Sequence, residues 1–134
     1  MSKAIRIHAT GGPEQLRWEE VPLPEPGPGE IRVRHEAVGL NYIDVYFRTG
    51  LYKLPHLPAV IGQEAAGVVE AVGEGVTRVA VGDRITYAGS LGAYATHRVI
   101  HADRVIKLPD SISSKVAAAI TLQVELRMKG AQPA

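Results

Sequence analysis

Short stretches of the chain alternate polar and apolar residues with a period of two, the pattern of half-buried strands. Residues 3–8 place Ile5 and Ile7 on one face and Arg6 and His8 on the other. After the turn Gly11-Gly12-Pro13, Leu16, Trp18 and Glu20 alternate with Arg17, Glu19 and Val21, which predicts a second strand paired back onto the first. Residues 30–38 alternate most cleanly, with Ile31, Val33, His35 and Ala37 against Arg32, Arg34, Glu36 and Val38. Pro22, Pro24, Pro26 and Pro28, with Gly27 and Gly29, make a stiff connection that donates few ladder hydrogen bonds. Its shortness and its place between two strands favour a rigid loop over a proline-rich recognition motif.

The periodicity then changes. Asn41 is a good helix N-cap, Asp44 suits the first turn and Gly50 the position just past the end, so residues 42–49 read as a short helix. Pro55 and Pro58 keep 51–60 in loop. The centre of the chain is the glycine-punctuated stretch 61–76, with strand-like runs at 65–69 and 70–72 behind the polar pair Gln63-Glu64. A polar pair in so apolar a setting must find hydrogen-bond partners or a ligand, because burying it bare is costly. Gly73-Glu74-Gly75 is read as a hairpin turn: it lacks the third glycine of a dinucleotide fingerprint, and no helix follows it. Residues 81–84 turn into a strand at 84–87, 88–92 turn again, and 93–101 and 104–108 read as the last two strands. Seven or so short strands with turns between them suggest a closed or nearly closed β barrel. Ser113 caps a final helix over 114–129, with Val116, Ala119, Ile120, Val124 and Met128 near helical spacing and Gly130 at its end.

Composition narrows the function classes. At 134 residues there is room for one domain with a real core. A net charge of +1 makes no electrostatic case for nucleic acid or a membrane surface. The chain has no cysteine, which excludes disulfides, thiolate zinc sites and a cysteine nucleophile. The N-terminus reads as a strand and not a signal peptide, and the apolar runs are too short to span a bilayer, so a cytoplasmic location is expected. His97 and His101 are four apart but lack a third ligand at suitable spacing, and no Gly-x-Ser-x-Gly turn presents a nucleophile. His35 reads as a hydrogen-bonded core or edge histidine. From the residues alone, Asp44 is equally a helix-start carboxylate and Tyr46 a core aromatic.

The central stretch resembles the medium-chain dehydrogenase/reductase signature Gly-His-Glu-x2-Gly-x5-Gly-x2-Val, with Gly62, Glu64, Gly67, Gly73 and Val76 in register. Gln63 stands where zinc-dependent members place a histidine ligand, and an amide is a poor zinc ligand. The departure points to the zinc-free branch, the quinone oxidoreductase (zeta-crystallin) type. The run from Asn41 through Tyr52 is similar to that branch's cleft-lining segment. Val81-Gly82-Asp83-Arg84-Ile85 and Leu91-Gly92-Ala93-Tyr94-Ala95 match later motifs, and 109–123 resembles the helix entering the cofactor domain.

The resemblance implies a mainly β fold with short helices, a co-chaperonin (GroES)-like partly open barrel with a C-terminal helix. It implies a catalytic domain over 1–112, a connecting helix over 113–130 and a tail at 131–134. The implied chemistry is metal-free hydride transfer from NADPH to a quinone or enone. Asn41, Tyr46 and Tyr52 are the implied catalytic residues, the two tyrosines flanking or hydrogen-bonding the quinone. Asn41, Tyr42, Ile43, Asp44, Val45, Tyr46, Arg48 and Gln63 are the implied cofactor contacts. Residues 124–134 depart from the family pattern and no strand–glycine turn–helix unit appears, so a truncated catalytic half with little activity alone is expected. The other reading is a non-catalytic binding or assembly module that keeps the barrel; a homodimer is compatible with either.

Overall fold

A computed structural model describes residues 1–128, and the side chains of residues 1–121. Two antiparallel sheets carry the fold. The smaller has the order β2-β1-β4, from β1 (Ser2–Ile7), β2 (Arg17–Val21) and β4 (Ala59–Val60). The larger has the order β7-β3-β5-β6-β8, from β3 (Glu30–Gly39), β5 (Glu64–Val72), β6 (Arg84–Ala88), β7 (His97–His101) and β8 (Ile106–Lys107). Helix α1 (Tyr42–Thr49) follows β3, and α2 (Ser114–Met128) follows β8.

The sheets meet along residues 94–96. Ile5 N–H donates to Tyr94 O at 2.8 Å, Thr96 N–H to Lys3 O at 2.8 Å, and His35 N–H to Thr96 O at 2.8 Å. This seam bends the two sheets into a partly open barrel, and the closed form allowed by strand spacing is not reached. Residues 93–96 are thereby spent on the joint, so the strand expected over 93–101 is confined to β7. A 3-10 turn at Ala102–Arg104 likewise shortens the expected 104–108 strand to β8. The expected loop at 51–60 ends in β4, paired to Arg6 and Ile7 of β1. The two runs at 65–69 and 70–72 are one continuous strand, β5.

The main core lies inside the curved sheet, where Ile31, Val33, Val69, Ile85, Tyr87 and Ile100 are buried together. A smaller cluster on its other face packs Ala66 of β5 against Ala117 and Ala118 of α2. Buried on both faces over residues 64–67, β5 cannot show clean alternation there. Gly67 sits where a Cβ would run into the carbonyl of Arg34, at a register shift between β3 and β5. In β1 the expected Ile5/Ile7 face is modified: Ser2, Ala4 and Ile7 are buried and Ile5 only partly, so burial changes parity along the strand.

Helix α2 corrects a further expectation. Ser113 does cap it, its hydroxyl accepting Val116 N–H at 3.2 Å. Among its described side chains, however, the buried ones are Ala117, Ala118 and Thr121, whereas Val116 and Ile120 are 52% and 44% exposed. Small side chains face the sheet because the backbones come close: a Cβ on Gly39 would collide with Ala118 O. Thr121 and Thr86 bridge helix and strand, with their hydroxyls 2.8 Å apart. The expected helix end at Lys129–Gly130, the tail at 131–134 and the side chains of Val124 and Met128 lie outside what is described.

Candidate active site

Local sequence chemistry builds α1 as expected. The Asp44 carboxylate turns back to accept Asn41 N–H at 3.1 Å, satisfying a donor that the first turn leaves open. Gly50 closes the helix in the left-handed region at φ 92°. A guanidinium N–H of Arg48 donates to Gly11 O at 3.3 Å, and Gly11 N–H donates to Arg48 O at 2.9 Å, tying the helix to the β1–β2 connection.

A cavity of about 320 Å³ opens beside this helix. Asn41, Tyr42, Asp44, Val45 and Arg48 line it, together with Leu40, Ile61 and Tyr94. Asp44 is 3% exposed. Its Oδ2 accepts the Tyr94 hydroxyl at 2.7 Å, while its Oδ1 has no protein partner. Burial raises the Asp44 pKa from its ordinary value, against the opposing effect of the Tyr94 and Asn41 hydrogen bonds. Tyr94 is also shifted upward, first by burial and then by Asp44. The Asn41 side-chain amide donates to Glu64 Oε1 at 3.0 Å, and Glu64 is 1% exposed. The polar pair Gln63-Glu64 thus does enter the site's framework, through Glu64. Gln63 is buried beside it.

Five of the implied cofactor contacts therefore share one cavity wall. Ile43 and Gln63 are not among its lining residues, and neither are Tyr46 and Tyr52. The two tyrosines form their own partly exposed cluster, edge-on at 5.5 Å between ring centroids, with Phe47 edge-on to Tyr52 at 5.7 Å. Sequence reasoning did not single out Tyr94 or Leu40. Tyr94 lies 50 residues from Asp44, and nothing local to either residue announces the pairing. The signal available was the buried polar pair, of which Glu64 accepts from the Asn41 amide.

The histidines take structural partners. His35 Nδ1 bonds Ala95 O at 2.7 Å and its Nε2 meets the Tyr87 hydroxyl at 2.9 Å. His97 Nε2 faces Glu70 at 3.3 Å, and His101 Nδ1 faces Asp103 at 3.6 Å.

Comparison with known proteins fits this geometry. Residues 27–110 match the alcohol dehydrogenase GroES-like domain family. A quinone oxidoreductase of Pseudomonas aeruginosa is 51% identical over 124 residues, covering 92% of this chain and 38% of that protein. A 2-haloacrylate reductase of Burkholderia is 44% identical, over 84% of this chain and 35% of its own length. The crystal structure of Escherichia coli quinone oxidoreductase complexed with NADPH superposes with TM-score 0.87 and 43% identity, over 95% of this chain and 41% of that one. The chain thus spans well under half the length of these relatives. It belongs to the alcohol dehydrogenase GroES-like domain family and resembles that portion of the quinone oxidoreductases.

Proposed function

We propose that this chain provides the substrate-binding, nicotinamide-facing half of an NADPH-dependent quinone or enone reductase. The observation that carries the reading is the cavity beside α1, where a buried carboxylate oxygen without a protein partner adjoins Asn41, Tyr42 and Arg48. A buried acceptor left unmatched is expensive, and a bound group bearing an N–H or O–H supplies the missing donor. The carboxamide and ribose of a nicotinamide nucleotide carry such donors, so the residues present fit that end of the cofactor. When bound, NADPH supplies the hydride.

The residues of this chain would hold and orient. Asp44 would accept from the bound nucleotide through Oδ1. Asn41, its amide already oriented by Glu64, would complete the polar wall, and Tyr42 and Val45 would cover the ring from water. Tyr46 and Tyr52 would meet the acceptor at the rim, as the family resemblance implies. Gln63 offers an amide and the chain offers no cysteine, a donor set suited to hydrogen bonding and not to zinc. Residues 1–112 form the catalytic domain in this reading, with 113–130 leading away from it.

The test is a titration of the purified chain with NADPH, followed by quenching of Trp18, the chain's single tryptophan. Saturation is expected, and Tyr42→Ala, at an 83% exposed position, should weaken it about threefold to tenfold. No binding at millimolar cofactor, with stable self-association or capture of another chain in its place, would favour a non-catalytic module.

A further inference from the structure

Tyr94 stands where three parts of the fold meet. Its backbone N–H donates to Ile61 O at 2.9 Å and its carbonyl accepts Ile5 N–H at 2.8 Å, so the residue is held from two sides. The ring lies against Gly62, which sits in the left-handed region at φ 102°. A Cβ on Gly62 would run into the ring, so the missing side chain is the room that the ring occupies. Seated in this way, Tyr94 delivers its hydroxyl to Asp44 Oδ2 at 2.7 Å. The same oxygen accepts Asn41 N–H at 3.1 Å, and Oδ1 is left as the open acceptor. Two donors on one oxygen fix the rotation of the carboxyl group, because turning it over would move both bonds to the other oxygen.

We propose, building on the nicotinamide-binding reading, that Tyr94 is a positioning residue: its hydroxyl orients the Asp44 carboxylate so that Oδ1 meets the donor of the bound nucleotide. Tyr94 acts through Asp44 and not on the reacting atoms. The protonation states agree with this division of roles. Burial, and then Asp44, raise the Tyr94 pKa, so the hydroxyl keeps its proton and donates. Burial also raises the Asp44 pKa, and the Tyr94 bond opposes that rise. The other charged or titratable side chains lining the cavity are Tyr42 and Arg48 of α1, and Glu64 of β5 stands behind the Asn41 amide.

NADPH titrations of the full chain test the proposal, with wild type, Tyr94→Phe, Asp44→Asn and the double variant compared at a series of pH values. Affinities are read as ratios to wild type, which cancels the titration of NADPH itself. Tyr94→Phe keeps the ring against Gly62 and removes only the hydroxyl; it should weaken binding about threefold to tenfold at neutral pH. In wild type, affinity falls as acid protonates Asp44. Without the Tyr94 donor Asp44 holds its proton more strongly, so in the variant the fall should begin at higher pH. In the Asp44→Asn background Tyr94→Phe should cost no further affinity. An equal loss at every pH, or losses that add in the double variant, would make Tyr94 a structural residue only and overturn the proposal. Wild-type affinity and profile in Tyr94→Phe would overturn it too, and all of these leave the nicotinamide reading standing. No NADPH binding by the wild type would sink both. If Tyr94→Phe does not fold, 3-fluorotyrosine in place of Tyr94, a stronger donor, should move the fall to lower pH; an unmoved fall would overturn the proposal.

Discussion

His35 shows how one residue can tie a barrel together and make its stability depend on pH. Because Ala95 O can only accept, Nδ1 must carry the proton, and Nε2 of the neutral ring then accepts from the Tyr87 hydroxyl. A charged ring would have to donate through Nε2, so the Tyr87 hydroxyl would be forced from donor to acceptor. Burial is the main cause that lowers its pKa to about 4 from an ordinary 6.5, with Arg98 and His97 pushing the same way and the Ala95 bond opposing. Below pH 6.5 the unfolded chain takes up a proton that the folded chain refuses. Stability is therefore full above that pH and falls as acid is added toward pH 4, by about 3 kcal/mol across the window. Urea unfolding at a series of pH values should show this fall, and His35→Gln should flatten it. A slope unchanged in the variant would assign the acid sensitivity to other groups. In sequence, His35 was legible as an apolar-face residue of β3, but its partners Tyr87 and Ala95 are 52 and 60 residues away.

At the scale of elements, α1 and α2 differ in how far the sequence reveals them. The ends of α1 are written locally, in Asn41, Asp44 and Gly50, because capping is chemistry between neighbours. The working face of α2 is not. A helical apolar pattern through Val116, Ala119 and Ile120 suggests one buried stripe, yet among the described side chains it is Ala117, Ala118 and Thr121 that fit against the closely approaching sheet. Two substitutions separate these faces. Ala118→Leu, at a 2% exposed position beside Gly39, should cost about 1–3 kcal/mol by overpacking. Ile120→Ser, at a 44% exposed position, should change stability by no more than about 0.5 kcal/mol. Chemical denaturation midpoints of the two variants decide the matter, and the reverse order would restore the expected stripe to the core.

For the molecule as a whole, the joint between the sheets matters most. The Thr96 hydroxyl reaches Ser2 and Lys3 of β1, while its backbone holds both Lys3 and His35. Thr96→Val keeps the shape and removes the hydroxyl, leaving buried Ser2 short of a partner. A loss of about 1–2 kcal/mol is expected, read as a lower urea midpoint. If the midpoint does not move, the backbone bonds alone hold the seam. The same joint sets Tyr94 over Asp44, so the candidate site and the barrel closure share their scaffold. Among the described residues no helix is long and apolar enough to cross a membrane.

The sequence by itself determined the strands with one exposed face, both helix N-termini, the turn at Gly50 and the family signature around Gly62–Val76. Each of these rests on neighbours within a few positions, or on a spaced motif that survives without coordinates. Only the tertiary structure decided that β5 is one strand buried on both sides in its first half, that 93–96 serves as a seam, and which face of α2 packs. It also decided that Tyr94 meets Asp44 and Glu64 meets Asn41. Those outcomes depend on contacts between residues far apart in the chain, and the need of a buried polar group for a partner does not say which distant residue will supply it.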